Sequence, residues 1–166
     1  GGEEVEALRQ ANVAYSIIPG ITASLGAAAQ FEVPLTFRNE ALRITFLTAH
    51  KAKDAETVDW SALTDEKMTV VVYMGMTAAT SVRAGLLAAG RSPQTPVGVF
   101  ARATLPDAQA AVGSLGELPD LVARIGRGPA ILVIGEVVAH SLPWRDQNWR
   151  DQNFTQTLSK LLEAAE

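Results

Sequence analysis

Residues 69–74, Thr-Val-Val-Val-Tyr-Met, form a continuous apolar run that ends at Gly75. A strand with one face in water alternates apolar and polar residues, whereas a strand covered on both faces does not alternate. The run therefore predicts a central strand that is buried on both faces. A strand of this kind has to lie inside a sheet, and this requirement constrains the fold of the whole chain.

Strand and helix patterns alternate along the rest of the chain. We therefore expect an α/β fold with a mixed sheet of about five strands flanked by helices. The predicted strands cover residues 15–18, 43–48, 69–74, 96–101 and 130–134, with 110–114 pairing beside 96–101. The predicted helices cover 3–12, 22–31, 77–89, 118–125 and 154–165, with a short turn over 60–63 and a surface loop over 51–59.

The first predicted strand runs directly into a turn and a helix. Residues 19–23 are Pro-Gly-Ile-Thr-Ala, so the turn begins with a residue that lacks a backbone donor and one that permits a tight reversal. Thr22 then occupies the expected N-cap of a helix rich in small residues. Free backbone N–H groups at a helix start suit the close approach of a ligand. Taken alone, the segment indicates no more than a strand-to-helix turn.

The composition excludes several classes of function. The chain has 166 residues, 48% hydrophobic and 19% charged, with a net charge of −4. This is the composition of a globular protein, and the negative charge argues against nucleic acid as a partner. Cysteine is absent, and the two histidines, His50 and His140, lack metal-ligand spacing, so no metal site is predicted. No apolar run is long enough to cross a membrane, and we expect a cytoplasmic location.

The chain has none of the common catalytic patterns: no Ser-His-Asp order, no paired carboxylates on a helix face and no phosphate-binding glycine loop. Small or adaptable residues instead follow several predicted strands. Ligands of open α/β sheets bind at the carboxyl ends of strands, so these positions are expected to line one cleft. They are Gly20 and Thr22, Met74 and Gly75, Ala103 and Thr104, and Gly135 and Glu136.

A series of short motifs within residues 1–138 resembles uroporphyrinogen-III C-methyltransferases of the tetrapyrrole methylase family. No single motif is decisive, but coincidence does not produce so many in the same order. The matching segments are Gly-Gly-Glu-Glu at 1–4, Pro-Gly-Ile-Thr-Ala at 19–23, Pro-Leu-Thr-Phe-Arg at 34–38, Thr-Ala-His at 48–50, Asp-Trp at 59–60, Val-Tyr-Met-Gly at 72–75, Gly-Arg at 90–91, Thr-Pro-Val at 95–97, Ala-Thr at 103–104, Gly-Ser-Leu at 113–115 and Gly-Glu-Val-Val at 135–138.

The resemblance implies an enzyme of two α/β domains that binds S-adenosylmethionine, or its product S-adenosylhomocysteine, in the cleft between them. It implies C-methylation of uroporphyrinogen III at C2 and C7, which gives precorrin-2 for sirohaem and cobalamin biosynthesis. It also implies a homodimer with a tetrapyrrole substrate. A sulfonium methyl is already activated, so an enzyme that aligns it with an electron-rich pyrrole carbon needs few catalytic side chains.

The same resemblance predicts that this chain is a fragment whose N-terminal domain is largely missing. Residues 1–20 correspond to the end of that domain and the interdomain seam, 21–143 to the C-terminal methylase domain, and 144–166 to a polar tail with a terminal helix. The family's Gly-x-Gly-Pro-Gly-Asp loop and Gly-Gly-Asp turn are not in this chain. The catalytic residues are expected in the missing part, so they stay unknown and the fragment is expected to be inactive alone.

Four cofactor-binding residues follow from the matched motifs. Thr22 and Ala23 match the Thr-Ala pair that contacts the cofactor in the family, and Met74 matches the Met that lines the adenosine pocket. Ala103 stands where the family usually has Gly, which contacts adenine through its backbone, and a positive φ at Ala103 would crowd the site. The alternatives are that Thr22 is only an N-cap and that Met74 only fills the core.

The predicted substrate-binding residues are Arg38 and His50. The family's Leu-Thr-His-Arg-Asp is Leu-Thr-Phe-Arg-Asn at 35–39 in this chain, so Arg38 is kept for a substrate carboxylate while a His and an acid are lost. Alternatively, Arg38 pairs only with Glu40, and His50 lies in a surface loop. The departures leave open a related methylase with another precorrin substrate, and a non-catalytic binding or dimerisation module.

Overall fold

The computed structural model describes residues 1–49, 58–146 and 149. The strands are β1 (Arg43–Thr48), β2 (Met68–Tyr73), β3 (Pro96–Ala101), β4 (Gln109–Ser114) and β5 (Ala130–Ile134). They form one sheet in the order β1-β2-β5-β3-β4. β1 and β2 are parallel, whereas the other neighbouring pairs are antiparallel. The predicted mixed sheet is confirmed, and β4 pairs with β3 as expected.

Four α-helices lie where the sequence pattern predicts them, and a short fifth helix was not predicted. The α-helices are α1 (Gly2–Gln10), α2 (Ala23–Gln30), α3 (Ala79–Ala88), α4 (Leu118–Ile125) and α5 (Leu142–Arg145). Within the described residues, 3₁₀ segments lie at Trp60–Leu63, Leu115–Glu117 and Glu136–His140. The segments after β5 are too short to show a helical period, which explains why the sequence pattern did not reveal them.

Helices cover both faces of the sheet, as the apolar run in β2 requires. Val70 and Val72 pack in one core with α3 and α4, whereas Val71 packs in a second core with α2. These three valines are fully buried. Successive residues of a strand point to opposite faces, so an unbroken apolar run supplies both cores.

The predicted buried strand over residues 15–18 is wrong. The segment makes no ladder with the sheet, and the side chains of Ile17 and Ile18 are 73% and 81% exposed. β-branched residues favour an extended conformation, but burial needs a neighbouring element, and none of the described residues covers this segment.

Several predictions lie outside the described residues. These are His50, most of the predicted loop over 51–59, and the terminal helix over 154–165. In the polar tail, the ring of Trp149 packs edge-on against Phe31, with the ring centroids 5.2 Å apart. None of the described helices has both the length and the apolar character of a membrane-spanning segment.

Candidate functional site

A cleft of about 1170 Å³ opens at one edge of the sheet. Thr22 and Ala23 line it from the start of α2, Met74 from the end of β2, and Ala103 from the loop after β3. The structure therefore brings together four residues that are up to 81 positions apart in the sequence (103 minus 22). The remaining lining is Ile21, Leu25, Gly26, Ala29, Gln30, Tyr73, Met76, Thr77, Phe100, Arg102, Thr104, Leu105, Gly128, Pro129, Ala130 and Ile131.

Sheet topology explains which strand ends meet at the cleft. β2 and β3 are each antiparallel to β5, so they run in the same direction and their carboxyl ends share one edge with the start of β5. The expectation that Gly135 and Glu136 line the same cleft is therefore wrong. Gly135 follows the far end of β5, where a Cβ would lie 3.2 Å from the carbonyl oxygen of Met68.

Three residues at the cleft have positive φ: Met74 at 53°, Arg102 at 48° and Thr104 at 71°. Residues other than glycine rarely adopt this region, and such strain tends to concentrate at functional sites. Ala103 is not among the residues with positive φ, so the crowding considered for its methyl group does not arise. Met74 is 56% exposed, which rules out a role as core filler.

Hydrogen bonds of Tyr73 connect the end of β2 to the start of α2. Its hydroxyl donates to the Oγ of Ser24 (2.7 Å), accepts the N–H of Ser24 (3.2 Å) and bonds the hydroxyl of Thr22. Burial raises the pKa of Tyr73, but its hydrogen bonds with Ser24 and Thr22 together outweigh burial, so the net pKa is lowered. Thr22 is the N-cap residue, yet its side chain makes no capping hydrogen bond because it contacts Tyr73.

The loop after β3 is held against α2 on the other side of the cleft. The side-chain oxygen of Gln30 accepts the N–H of Thr104. A Cβ on Gly26 would lie 3.2 Å from the side chain of Thr104, so the two elements approach closely. Arg102 pairs with Asp107 at 3.1 Å within the same loop. Sequence reasoning missed Gln30, for which no local pattern gives a signal.

The cleft offers backbone hydrogen-bonding groups to a ligand. Among the described residues, none bonds the N–H or the C=O of Ala103, or the N–H groups of Thr22 and Ala23. Polar backbone groups need partners, and those at a cleft surface can find them in a ligand or in water. The described residues hold no cluster of His, Asp and Glu that could bind a metal.

Arg38 lies outside this cleft. It is exposed, on a turn that follows α2, and the carboxylate of Glu40 contacts His140 and not Arg38. α2 has eight residues and so rises about 12 Å between Thr22 and this end. A shallow hollow of about 520 Å³ lies beside the turn, and Ala29 lines both hollow and cleft. The other residues that line the hollow are Ala28, Glu32, Val33, Pro34, Phe37, His140 and Arg145.

Comparison with known proteins gives consistent matches. The family model for tetrapyrrole (corrin/porphyrin) methylases matches residues 1–119. Siroheme synthase 1 of Pectobacterium atrosepticum is 43% identical over 149 residues, which cover 89% of this chain and 31% of that protein. A siroheme synthase of Neisseria meningitidis is 40% identical over 155 residues, covering 92% of this chain and 32% of that protein. This chain thus spans about a third of these relatives.

Solved structures show the same likeness. A uroporphyrin-III C-methyltransferase from Thermus thermophilus, solved in complex with S-adenosylhomocysteine, superimposes with a TM-score of 0.69 at 30% identity. The match covers 83% of this chain and 60% of that one. A cobalt precorrin-4 methyltransferase superimposes with a TM-score of 0.73 at 26% identity, covering 82% of this chain and 58% of that one.

Proposed function

This chain belongs to the tetrapyrrole (corrin/porphyrin) methylases, and we propose that it is the cofactor- and substrate-binding part of a uroporphyrinogen-III C-methyltransferase. The proposed reaction uses S-adenosylmethionine to convert uroporphyrinogen III to precorrin-2. The observation that carries the proposal is the convergence of Thr22, Met74 and Ala103 on one cleft. These residues come from three separate motifs, so their meeting is not a consequence of sequence proximity.

The residues at the cleft fit the chemistry of the cofactor. An adenosine moiety has flat apolar faces and polar edges that both donate and accept hydrogen bonds. Met74 and Leu105 present exposed apolar side chains, and Ala103 presents an unbonded N–H and C=O. At about 1170 Å³, the cleft is somewhat larger than most small-molecule sites, which occupy about 300–1,000 Å³, so it has room for the cofactor.

Bound S-adenosylmethionine supplies a methyl group that is already activated, so the protein mainly has to bind, orient and desolvate the reactants. In our proposal, Thr22 and Ala23 offer their N–H groups to acceptor atoms of the cofactor. Met74 provides an adaptable apolar wall that excludes water. Tyr73 holds the Thr22 turn in place through the hydrogen bonds described above.

Arg38 is proposed to bind a carboxylate of the substrate. Its guanidinium makes no hydrogen bond or ion pair to any described residue, so it is available to an anion. The rise of α2, about 12 Å, separates Thr22 from the end of the helix that precedes the Arg38 turn, which suits a large macrocycle whose carboxylates lie far from the reacting carbon. The proposed role of His50 in substrate binding rests only on the matched motif, because His50 lies outside the described residues.

We also propose that the full-length enzyme is a cytoplasmic homodimer. In this proposal, residues 1–20 end the N-terminal domain, 21–143 form the C-terminal methylase domain, and 144–166 form a polar tail with a terminal helix. Ile17, Ile18 and Ile21 expose large apolar side chains, and Ile21 also lines the cleft, which supports a protein contact at this segment. Surfaces of this kind are usually covered by other protein. We propose that protein outside these residues completes the cofactor site and contributes the catalytic groups.

The test uses the full-length protein that contains this chain, supplied anaerobically with uroporphyrinogen III and S-adenosylmethionine. Mass spectrometry is expected to show a product with two added methyl groups. Titration with S-adenosylhomocysteine is expected to show about 5- to 30-fold weaker binding for Met74→Ala, because apolar contact area is lost.

The matched control is Arg124→Gln, on α4 at the other face of the sheet, which should bind the cofactor product like the wild type. Unchanged binding by Met74→Ala would overturn the assignment of the cleft. Absence of methylated product from uroporphyrinogen III, with cofactor binding intact, would overturn the substrate.

A second candidate is a methylase that acts on a later precorrin. Phe37 and Asn39 favour it, because they replace a His and an acid of the resembled motif on the turn that carries Arg38. Precorrin-2 and uroporphyrinogen III offered together would separate the two candidates, since each predicts a different methylated product. A purely non-catalytic module would bind S-adenosylhomocysteine or a second copy without giving either product.

A further inference from the structure

The turn that carries Arg38 is closed at its base. The N–H of Phe37 donates to the carbonyl of Ala41, and the N–H of Ala41 donates to the carbonyl of Phe37, both at 2.9 Å. Asn39, at the tip, has a φ of 71°. These bonds fix the backbone, but the side chain of Arg38 makes no hydrogen bond or ion pair with the described residues that would orient it.

A histidine from a distant segment holds the turn on both sides of Arg38. The Nε2 of His140 lies 2.7 Å from a carboxylate oxygen of Glu40. The imidazole of His140 also stacks on the ring of Phe37, with the ring centroids 4.3 Å apart and the planes inclined by 19°. One imidazole therefore contacts the residue before Arg38 and the residue two positions after it.

We propose that His140 is a positioning residue that fixes the turn bearing Arg38 for an anionic substrate. The inference rests on the proposed role of Arg38 in binding a substrate carboxylate. The turn lacks the His and the acid that the resembled motif has at the positions of Phe37 and Asn39. In this chain, His140 supplies an imidazole and Glu40 supplies a carboxylate at the same turn, although neither lies at the position of the lost residues.

Solvent partly screens the contact between His140 and Glu40, because the two side chains are 36% and 40% exposed. Glu32 and Arg145 line the same hollow as His140 and are paired with each other, so their charges largely offset.

The first test needs no substrate and uses trypsin on the full-length protein. His140→Leu is expected to speed cleavage after Arg38 by about 3- to 10-fold, because the turn opens more often. Cleavage after Arg124 is the internal control and should be unchanged. His140→Gln can still donate to Glu40 and should restore part of the protection. Glu40→Gln weakens the same contact and serves as the second variant if His140→Leu does not fold.

The second test measures steady-state kinetics with uroporphyrinogen III. His140→Leu is expected to raise KM by about 3- to 10-fold, with kcat and S-adenosylhomocysteine affinity unchanged. The double variant with Arg38→Gln should have the KM of Arg38→Gln alone.

The two tests separate the inference from the proposed function. Fully additive effects on KM, or protection from trypsin that is unchanged in both His140→Leu and Glu40→Gln, would overturn the role of His140. If the wild type does not methylate uroporphyrinogen III, the proposed function fails while the trypsin result still decides whether His140 fixes the turn.

Discussion

Tyr73 and Ser24, 49 positions apart, form two hydrogen bonds through a single hydroxyl group: Tyr73 donates to the Oγ of Ser24 and accepts its N–H. Ser24 is fully buried, so neither of its groups has water as an alternative partner. The pair therefore joins the end of β2 to the start of α2. The two elements that it joins carry Met74 and Thr22, on adjacent walls of the cleft.

Tyr73→Phe is expected to lower the free energy of unfolding by about 1–3 kcal/mol, because it leaves buried polar groups of Ser24 without a partner. It should also weaken S-adenosylhomocysteine binding by about 3- to 10-fold, since the turn at Thr22 is no longer fixed. Urea unfolding and calorimetric titration measure the two effects.

Tyr15→Phe is the matched control for this change. The hydroxyl of Tyr15 accepts a hydrogen bond from Arg9 at an exposed site, so its loss should alter stability by less than about 0.5 kcal/mol. Equal losses in the two variants would show that Tyr73 has no special structural role. A stability loss without weaker binding would show that the turn does not depend on Tyr73.

Ala103 gives a prediction about the size of the side chain at the cleft. Because its φ is not positive, Ala103→Gly relieves no strain and should change S-adenosylhomocysteine affinity by less than about 3-fold. Ala103→Val adds two methyl groups at the cleft surface and should weaken binding by about 10-fold or more. Tighter binding by Ala103→Val, measured by calorimetry, would contradict contact between this residue and the cofactor.

The sequence pattern predicted the sheet well because its strands are short buried runs with clear ends. β3 and β5 have the predicted bounds, since each is an apolar run beside a Pro or Gly. Residues 15–18 have the same local character but are exposed. A strand pattern indicates that a segment is suited to burial. Whether another element covers that segment depends on the tertiary structure, which the local pattern does not specify.

The lining of the cleft was predictable where a motif marks a strand end, and not where the geometry depends on strand direction or on distant contacts. Met74 and Ala103 follow strands that run the same way, so both were placed at one cleft. Gly135 follows a strand of opposite direction, which no local pattern reveals. Gln30 and His140 act through partners 74 and 100 positions away, and a single sequence carries no signal for such pairs.

Glu117 predicts a dependence of stability on pH. Its carboxylate accepts the N–H of Ser114 (2.9 Å) and the hydroxyl of Ser114 (2.8 Å), and these bonds lower its pKa from the ordinary value of 4.5. A lowered pKa in the folded state stabilises the fold above pH 4.5, and this contribution is lost as the pH falls through the folded-state pKa. Wild type should therefore exceed Glu117→Gln in unfolding free energy at pH 6–7, and the difference should shrink below about pH 4.5. A difference that is constant with pH in urea titrations would contradict this origin.

A substitution at Arg91 tests whether the stability of the sheet and the affinity for ligand are independent. Its side chain is 3% exposed, and its guanidinium donates to the carbonyls of Leu63 (2.8 Å), Asp65 (3.2 Å) and Met68 (2.9 Å). Burial lowers the pKa of Arg91, but an arginine keeps its charge in proteins, so these bonds persist across the accessible pH range. Arg91→Met removes the guanidinium donors from the three carbonyls, although that of Asp65 still accepts the N–H of Met68 (3.0 Å). The change should lower the free energy of unfolding by about 2–4 kcal/mol. The contacts lie at the start of β2, the edge of the sheet opposite the cleft, so S-adenosylhomocysteine affinity should stay within about 2-fold of wild type under folding conditions.

Arg127→Met, at an exposed position, is the control and should change stability by less than about 0.5 kcal/mol. If Arg91→Met weakened binding while leaving unfolding unchanged, the two edges of the sheet would not be independent.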